Sequence, residues 1–469
     1  MLRTFRKPIA AFFLLVLGAE PALAFCGFYV SKADGTLKNK TSQVIMVRDG
    51  DRNVITMYND FKGNIRDFAM VVPIPVVLRE DDIRVVEPGI FNTLNDYSKP
   101  RLVEYYDENP CARVEYDLKV QELAMVKEVP PMAEKNSVRI EAKYLVGEYD
   151  ILILSAKESS GLRTWLNENG YRIPPGADEV LEPYIKSNLK FFVVKVNEAE
   201  KKKLPGDFLR PLQISFNSPK FMLPIRLGMA NADGDQDLLV YAFTRRGRVE
   251  CTNYRTVAMP TGQEVPLFVQ QDFGRFYGNT FARTWQREGQ SVSLLEYAWD
   301  VSPHNYVKCD PCVAEAPSAQ DLVQAGVWWL SENGGPGDVF FTRLHFRYNR
   351  RAFPQDLVFQ VTPNKASYQA RYVITHPAQG GGDCPEWKAY RYKVRERRQR
   401  ELRNLRELSG ENYKAWARLD LPGEDPDPSC SYARVERFPP DGNPDRERWL
   451  IGALCIGAIL TAWGARREA

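Results

Sequence analysis

Short hydrophobic segments alternate with polar turns from residue 28 to about residue 372. The segments are rich in Val, Ile, Phe and Tyr, and Gly, Pro, Asn or Asp bound them. Runs of roughly four to eight residues of this kind are typical of β-strands. In the clearest example, residues 44–47 and 54–57 flank the turn residues Asp49 and Gly50, which predicts a β-hairpin. The pattern predicts an α+β fold that is predominantly β, with antiparallel sheets and a few short helices.

Similar segments extend this prediction along the chain. Further strands are predicted at residues 68–72, 113–120, 139–145, 149–154, 191–196, 212–216, 238–243, 339–348 and 357–361. Short helices are predicted at residues 162–166, 177–185 and 321–330. The last of these follows Ser318, which has Asp321 three residues further on, the spacing of a capping box.

The composition changes after the glycines at 380–382. Residues 386–408 contain nine Lys or Arg and four Glu, with apolar residues at helical spacing, which predicts one long basic amphipathic helix within residues 385–420. Two interpretations of this helix stay open. It lies on the body with a solvated basic face, or it contacts anionic headgroups or a surface polymer. Proline recurs through residues 421–445, which predicts an extended stalk.

The first 24 residues have the features of a secretory signal peptide in their usual order. Basic residues precede an apolar run at 9–17, and Ala22, Leu23 and Ala24 form a small-residue cleavage site. An uncleaved N-terminal anchor is disfavoured because the apolar run is too short to span a bilayer. The sequence therefore predicts export.

The other end of the chain resembles a membrane anchor. Residues 449–465 are uncharged, have Trp near both ends and precede two arginines, which predicts a single transmembrane helix. The alternative is a hydrophobic helix packed on the domain. With the signal peptide, this topology places a periplasmic or extracytoplasmic body on the cell membrane and residues 466–469 inside. The expected partners are the inner membrane, through this helix, and an unknown envelope protein or polymer.

Composition and charge exclude several classes of protein. The chain has 469 residues, 44% of them hydrophobic, and a formal net charge of +3. These values are typical of globular proteins and exclude a disordered, collagen-like or polytopic membrane protein. The low net charge gives no polyanion-binding signature, so no nucleic-acid partner is expected. The length predicts a β-rich body over residues 25–380, with two subdomains that divide near residue 140 as one arrangement.

The chain has eight cysteines, one of them within the predicted anchor. In an oxidising compartment most of the other seven should form disulfides, and one of the seven should stay free. The disulfide candidates are Cys26, Cys111, Cys309, Cys312, Cys384 and Cys430. Connectivity cannot be deduced from the sequence, and the pairings that we favour are Cys26 with Cys111 and Cys384 with Cys430.

Cys309 and Cys312 form a Cys-x-x-Cys motif. Two thiols at this spacing can close a small ring and lower each other's pKa, as in redox enzymes. Pro303, Pro311 and Pro317 place the motif in a loop rather than at a helix N-terminus, which favours a structural disulfide over a redox role. Zinc is disfavoured because the chain has no second motif of this kind and no nearby histidine pair.

No other part of the sequence forms a catalytic or cofactor-binding motif. The three histidines, His304, His345 and His376, lie in separate segments, and nucleophile-elbow, zincin, P-loop and dinucleotide motifs are missing. The carboxylates of residues 231–237 lack the ligand spacing of an EF-hand, so a solvated turn is favoured over a calcium site. We assign no cofactor, metal ligand or catalytic residue, and an enzyme is the less favoured interpretation.

Several short segments together resemble a known family. They are 25–30 (FCGFYV), 48–50 (RDG), 71–75 (VVPIP), 108–111 (ENPC), 147–150 (GEYD), 165–171 (WLNENGY) and 309–312 (CDPC). Over about residues 25–375 the chain resembles a bacterial family of exported proteins known only as a domain of unknown function. This resemblance implies an exported bacterial protein, often with a C-terminal anchor. It implies no activity, cofactor or catalytic residue.

Three hypotheses about function follow. The leading one is a membrane-anchored extracytoplasmic protein that serves as a binding or structural module of the bacterial cell envelope. The alternative is a cell-envelope thiol-disulfide oxidoreductase with Cys309 and Cys312 as its catalytic residues. A third, a hydrolase, requires a pocket that joins a nucleophile to His304, His345 or His376.

Overall fold

The computed structural model describes residues 28–31, 38–62, 68–111, 143–155, 165–166, 168, 177–204, 209–231, 234–305, 314–332, 337–379 and 384–411. The predicted signal peptide, strand 113–120, stalk, membrane anchor and cytoplasmic tail lie outside these residues. Within the described ranges, no helix is both long enough and apolar enough to cross a membrane.

Strands are the main elements of the fold. They are β1 (Phe28–Ser31), β2 (Lys38–Asp49), β3 (Arg52–Lys62), β4 (Phe68–Ile74), β5 (Ile83–Val85), β6 (Arg101–Tyr106), β7 (Lys143–Val146), β8 (Tyr149–Ser155), β9 (Lys190–Val196), β10 (Leu212–Asn217), β11 (Met222–Leu223), β12 (Gln236–Thr244), β13 (Val249–Cys251), β14 (Arg255–Ala258), β15 (Gln263–Glu264), β16 (Val292–Asp300), β17 (Phe340–Tyr348), β18 (Leu357–Val361), β19 (Tyr368–Gln369) and β20 (Arg371–His376).

Helices connect and cover these strands. The α-helices are α1 (Gly89–Ser98), α2 (Ala177–Lys186), α3 (Glu198–Lys201), α4 (Phe273–Arg287), α5 (Ala319–Gln324), α6 (Trp329–Glu332) and α7 (Pro385–Ser409). Short 3₁₀ helices occupy Glu80–Asp82, Gly228–Asn231 and Leu267–Asp272.

Nine of the strands in the described part of the chain form one mixed sheet. Its order is β14-β16-β17-β12-β2-β3-β10-β5, and β19 pairs with β16. The pairs β2–β12 and β14–β16 are parallel, whereas β12–β17 and β2–β3 are antiparallel. The predominantly β architecture is confirmed. The prediction of antiparallel sheets is wrong for the two parallel pairs, because a local pattern locates strands without fixing their distant partners.

The described residues form three smaller sheets as well. One has five strands in the order β1-β4-β9-β8-β7, and the other two have three strands each, in the orders β11-β18-β13 and β15-β20-β6.

The predicted hairpin is confirmed as β2–β3. Asp49 pairs with Arg52 at the end of the ladder, so the loop consists of Gly50 and Asp51. Gly50 has a φ of 55°. A two-residue type II′ turn needs a positive φ at its first loop residue, and glycine adopts this conformation without steric cost.

Alternate residues of the central strands enter two different cores of the nine-stranded sheet. In β2, Val44 and Met46 lie in one core, whereas Ile45 and Val47 lie in the other. This arrangement follows from the two-residue period of a strand. Because both faces of the sheet are buried here, residues 44–47 of β2 are all apolar and do not alternate with polar residues.

The five-stranded sheet also has two buried faces. Val72 and Phe192 share the first core with the nine-stranded sheet. Val71 and Phe191 point into a separate core with Leu181 of α2. The five-stranded sheet is therefore a middle layer between α2 and the nine-stranded sheet.

The capping box predicted at Ser318 is present at the start of α5. Ser318 Oγ accepts the Asp321 N–H at 3.1 Å, and Asp321 Oδ2 accepts the Ser318 N–H at 2.8 Å. The single helix predicted at 321–330 is divided into α5 and α6, because Gly326 lies between them with a φ of 104°, outside the helical range. Helix α2 confirms the prediction at 177–185, whereas α1 and α4 are not among the predicted helices.

The described residues divide into two compact units. The larger unit contains those within 1–103, 117–263 and 272–373, and the smaller unit contains those within 104–116, 264–271 and 374–469. The nine-stranded and five-stranded sheets belong to the larger unit.

Helix α7 is the longest element of the smaller unit and lies where the sequence predicts a basic helix. Asp107 accepts hydrogen bonds from Arg397 Nη1 and Nη2 at 3.0 and 2.6 Å, and from the Tyr390 hydroxyl at 2.7 Å. Arg398 interrupts the apolar stripe in the sequence, but it is buried and donates to Glu401 at 2.9 Å. The interrupting charge therefore has a partner about one turn further along the helix.

A disulfide in the smaller unit joins Cys111 to Cys384, the residue that precedes α7. Both predicted pairings, Cys26 with Cys111 and Cys384 with Cys430, are therefore wrong, because a cysteine forms only one disulfide. Those pairings would have tied the N-terminus to the first sheet region and the basic helix to the stalk, whereas the fold joins two residues that are 273 positions apart.

We predict that the change Cys384→Ser destabilises the smaller unit. Loss of a native disulfide typically costs about 2–5 kcal/mol. Hydrogen exchange of the full oxidised chain should show faster exchange in α7 of the variant than in the wild type. Cys251→Ser is the matched control, because Cys251 is a free thiol in the larger unit and should leave exchange in α7 unchanged. Peptide mapping without reduction that pairs Cys111 with another cysteine would contradict this assignment.

Candidate functional site

A cleft of about 590 Å³ opens on the larger unit, where four segments of the described chain meet. The segments are the β2–β3 turn, the loop before β11, the turn after β12, and strand β18. Small-molecule sites usually have volumes of about 300–1,000 Å³, so the cleft has the size of a ligand site.

The floor of the cleft is apolar. Phe221 and Phe359 are largely buried, and their ring centroids are 5.4 Å apart. Met222 and Val358 add aliphatic surface beside them, and Val358 is among the exposed large hydrophobic residues. This surface can bury an aromatic or aliphatic group of a ligand.

Arg48 fixes the loop that forms one wall of the cleft. Its Nη1 donates to the Ser218 carbonyl at 2.7 Å and to Asn53 Oδ1 at 2.8 Å, and its Nη2 donates to the Pro219 carbonyl at 3.3 Å. Burial lowers the pKa of the Arg48 guanidinium, and Asp51 opposes this shift. These bonds hold the loop in place, so Arg48 positions the wall rather than offering its charge to a ligand.

The cations at the cleft differ in their partners. Arg245 Nε lies 2.8 Å from Asp49 Oδ2, and its guanidinium lies over the Trp329 ring, 4.9 Å from the centroid. Lys220 and Arg246 are exposed, and their side chains have no hydrogen-bond or ion-pair partner among the residues that the structure describes. Two unpaired cations therefore lie beside an apolar floor.

Gly247 makes the turn that carries Arg246 possible. It has a φ of 152°, and a Cβ atom at this position would lie 2.7 Å from the carbonyl oxygens of Thr362 and Asn364. Only glycine fits such a close approach between two backbone segments. The turn after β12 is thereby held against the segment that follows β18.

The arrangement suits recognition of an organic anion. A carboxylate, sulfonate or phosphate would pair with Lys220 and Arg246, and an attached apolar group would pack on Phe221 and Phe359. Among the described residues, the lining contains no His, Cys or Ser, and the Thr244 hydroxyl donates to the Gly247 carbonyl at 2.6 Å. The cleft therefore offers binding groups but no nucleophile–base pair.

A second polar arrangement, centred on Glu296, is buried within the larger unit. Glu296 is fully buried, and its Oε2 accepts from Arg343 Nε at 2.6 Å. Its Oε1 accepts from the Tyr277 hydroxyl at 2.5 Å and lies 2.7 Å from His345 Nδ1. Arg343 also donates to Asn95 Oδ1 at 2.9 Å. The carboxylate therefore links β16, β17, α4 and α1.

The charges in this network shift one another's pKa values. Burial opposes ionisation of Glu296, but Arg343 and His345 outweigh it and lower the pKa of Glu296 to about 2. His345 is buried too, and its carboxylate neighbours Glu296 and Asp237 raise its pKa in spite of burial. Arg347 donates to both oxygens of Asp237 at 2.8 Å, and the pKa of Asp237 is lowered.

The three histidines have separate partners in the structure. His345 stacks on Phe281 and belongs to the buried network. His304 Nε2 lies 3.6 Å from Asp338 Oδ1, and His376 Nε2 lies 2.9 Å from Glu104 Oε2. None of them lines the cleft. The structure does not bring a histidine and a nucleophile together at this site.

The described residues contain no cluster of three or more His, Cys, Asp or Glu side chains that could hold a metal ion. In the carboxylate-rich segment, Asp235 Oδ1 accepts from Asn349 at 2.6 Å, and Asp237 is bound by Arg347. Protein donors thus occupy oxygens that the calcium interpretation would assign to a cation.

The cysteine motif predicted to be the most reactive, Cys309 with Cys312, lies outside the described residues, as do Cys26 and Cys430. Cys251 is a free thiol within them, and burial raises its pKa to about 12. A thiol with so high a pKa is almost fully protonated at neutral pH, so Cys251 is a poor nucleophile.

Sequence reasoning missed the residues that form the cleft. Lys220 and Arg246 look like ordinary surface charges, and Arg48 looks like the end of a strand. The hairpin prediction located the turn at Asp49 and Gly50, and this was the available signal for one wall. The other walls come from segments far apart in the chain.

One protein family matches residues 20–360 of the chain, and it is described as an uncharacterized protein conserved in bacteria (DUF2330). No curated protein and no solved structure matches the chain. The resemblance to a bacterial family of unknown function is confirmed.

We predict that Glu296→Gln lowers the stability of the larger unit by about 3–5 kcal/mol, because it leaves Arg343 buried without a counter-charge. Urea unfolding of the full chain, followed by Trp fluorescence, measures the loss. Glu288→Gln is the control: its partner Arg255 is 61% exposed, so this change should cost less than about 1 kcal/mol. Equal losses in both variants would contradict a special role for Glu296.

We predict that the wild type exceeds Glu296→Gln in free energy of unfolding, and that this difference becomes smaller as the pH is lowered. The pKa of Glu296 falls from 4.5 to about 2 on folding. Its contribution to the free energy of unfolding is therefore fully present above pH 4.5 and is lost as the pH falls towards 2. Urea midpoints at several pH values between 7 and about 3 give this difference. His345 acts in the opposite direction, because its pKa is raised above 6.5 and its contribution is lost as the pH rises through that raised value. If the difference in free energy of unfolding does not change with pH, the assignment of an ionised, stabilising Glu296 carboxylate is wrong.

Proposed function

Because the chain belongs to the bacterial family DUF2330, whose model supplies no activity, we propose a function from the site itself. The protein is a binding module of the bacterial cell envelope, and its cleft takes an organic anion that has an apolar group. The body is extracytoplasmic and is held at the inner membrane by the C-terminal segment 449–465.

One observation carries the proposal of ligand binding: Lys220 and Arg246 are unpaired, among the described residues, at the edge of the apolar cleft. Buried and half-buried cations of the larger unit, such as Arg48, Arg343 and Arg347, bond to protein oxygens. Lys220 and Arg246 differ from these cations because no described protein oxygen pairs with them, and they differ from other exposed cations because they adjoin an apolar surface of ligand size.

The proposal of binding rather than catalysis rests on the residue types in the cleft. Asp49, the carboxylate in its lining, pairs with Arg245. General acid–base catalysis needs a titratable group near the operating pH within reach of a substrate. The thiol-disulfide alternative with Cys309 and Cys312 stays a prediction from the sequence alone.

The location outside the cytoplasm is supported by the sequence at both ends. A signal peptide over residues 1–24 and a hydrophobic segment at 449–465 give one consistent topology. The Cys111–Cys384 disulfide agrees with an oxidising compartment, where structural disulfides persist.

We predict that the cleft binds 4-phenylbutyrate more tightly than its uncharged amide, 4-phenylbutanamide. The two compounds share the apolar group and differ in charge, and pairing with two exposed cations should improve the Kd of the acid about fivefold. Isothermal titration of the full chain in detergent measures both affinities. In the double variant Lys220→Ala, Arg246→Ala this preference should disappear.

Lys202→Ala combined with Arg287→Ala is the matched control for that experiment. Both residues are exposed and neither lines the cleft, so this variant removes the same charge elsewhere. It should retain the preference for the acid. Equal binding of acid and amide by the wild type, or equal effects of the two double variants, would overturn the proposed site.

A further inference from the structure

Strand β18 has an open edge beside the cleft. On one side it pairs with β13 over residues 359–361, and on the other side it pairs with the shorter β11 over 357–358. The pairing with the β11 segment extends to the bond from the Phe359 N–H to the Phe221 carbonyl, at 2.8 Å. Beyond this bond, towards Pro219 and Val361, no further backbone hydrogen bond joins the two segments in the described structure, and both segments line the cleft.

The hydrogen-bond pattern fixes the direction in which Val361 points. The Thr252 N–H donates to the Val358 carbonyl, and the Thr362 N–H donates to the Arg248 carbonyl. Backbone groups of an antiparallel strand alternate between its two sides, so residues 358, 360 and 362 face β13. The N–H and carbonyl of Val361 therefore face the opposite side, where the cleft lies.

In the register of β11 with β18, the residue opposite Val361 would be Pro219. Proline has no N–H to donate, and the Pro219 carbonyl accepts from Arg48 Nη2 at 3.3 Å. No hydrogen bond from this loop to Val361 is present in the described structure. A donor and an acceptor of the main chain thus line the same cleft as Lys220 and Arg246.

These groups together match an extended peptide. A peptide residue opposite Val361 would donate its N–H to the Val361 carbonyl and accept the Val361 N–H, as an added antiparallel strand does. A peptide that lies in line with β11 and has the same direction would point its carboxyl end at Lys220. The free α-carboxylate would then meet Lys220, and an adjacent side chain would reach Phe221.

We infer that the ligand of the cleft is the carboxyl-terminal end of a peptide, bound as a short added strand on β18. This inference rests on the proposed function, because it uses the same cleft and Lys220, and it adds the main-chain recognition by Val361. Main-chain pairing with Val361 distinguishes a peptide from other organic anions, which would contact the cations and the apolar floor without pairing with the strand.

The test uses the full chain in detergent and the probe peptide acetyl-Val-Val-Phe with a free carboxylate. The first comparison peptide has a C-terminal amide, which removes the charge. Three further peptides keep the free carboxylate. Each has a methyl group in place of one backbone amide hydrogen, at Val, Val or Phe. We expect the C-terminal amide and one of the N-methyl peptides to bind about threefold to tenfold more weakly, since each loses one kind of contact.

The outcomes separate this inference from the proposed function. If the acid binds better than the amide but none of the N-methyl peptides is weakened, the strand pairing is wrong and the anion site stands. If 4-phenylbutyrate binds and the peptide does not, the peptide assignment is again wrong. If acid and amide bind equally for both probes, the anion site itself is overturned.

A measurement on the protein gives an independent readout. The Val361 amide should become protected from hydrogen exchange when the free-acid peptide is bound, and the Gln360 amide, which already faces β13, should change little. The variant Val361→Pro removes the donor without removing a bond to β13, so it should bind 4-phenylbutyrate normally and the peptide more weakly. Protection that is unchanged at Val361 would overturn the inference whether or not this variant folds.

Discussion

The buried carboxylate of Glu296 is the constraint on which much of the larger unit depends. It lies in β16 with no exposed surface, and an uncompensated charge there would cost several kcal/mol. Compensation comes from Arg343 and His345 of β17 and from Tyr277 of α4, and Arg343 reaches further to Asn95 of α1. Since the charge is tolerated only while these groups surround it, two strands and two helices are fixed relative to one another.

The cleft arises from the same requirement at another buried charge. Arg48 lies at the end of β2, and carbonyl groups of the loop before β11 satisfy its guanidinium. The Pro219 carbonyl accepts from Arg48 instead of from Val361, so the ladder between the β11 segment and β18 ends at Phe221. The bond that satisfies a buried cation thus takes up the one carbonyl of this loop that lies opposite Val361 in the register.

Local features could be predicted from the sequence, whereas distant pairing could not. The hairpin at Gly50 and the capping box at Ser318 depend on neighbours in the chain, and both are present. Strand β16 was missed, because Glu296 interrupts its apolar pattern, and the structure shows that residue to be the centre of a network. The disulfide of Cys111 with Cys384 and the convergence of four segments on the cleft depend on long-range topology. Spacing along the chain holds no information about either.

The charged side chains that stabilise this fold are buried, whereas those proposed to bind a ligand are exposed. Glu296 and Arg343 have lost their water, so each depends on the other and neither can be offered to a ligand without exposing its partner. Lys220 and Arg246 keep their water and have no described partner, so they lose little when an anion approaches. Their attraction is screened by salt, whereas packing on Phe221 is not. For the proposed organic anion, affinity in the cleft would therefore have an electrostatic part and an apolar part with different physical origins, and a ligand would need both groups to use the whole site.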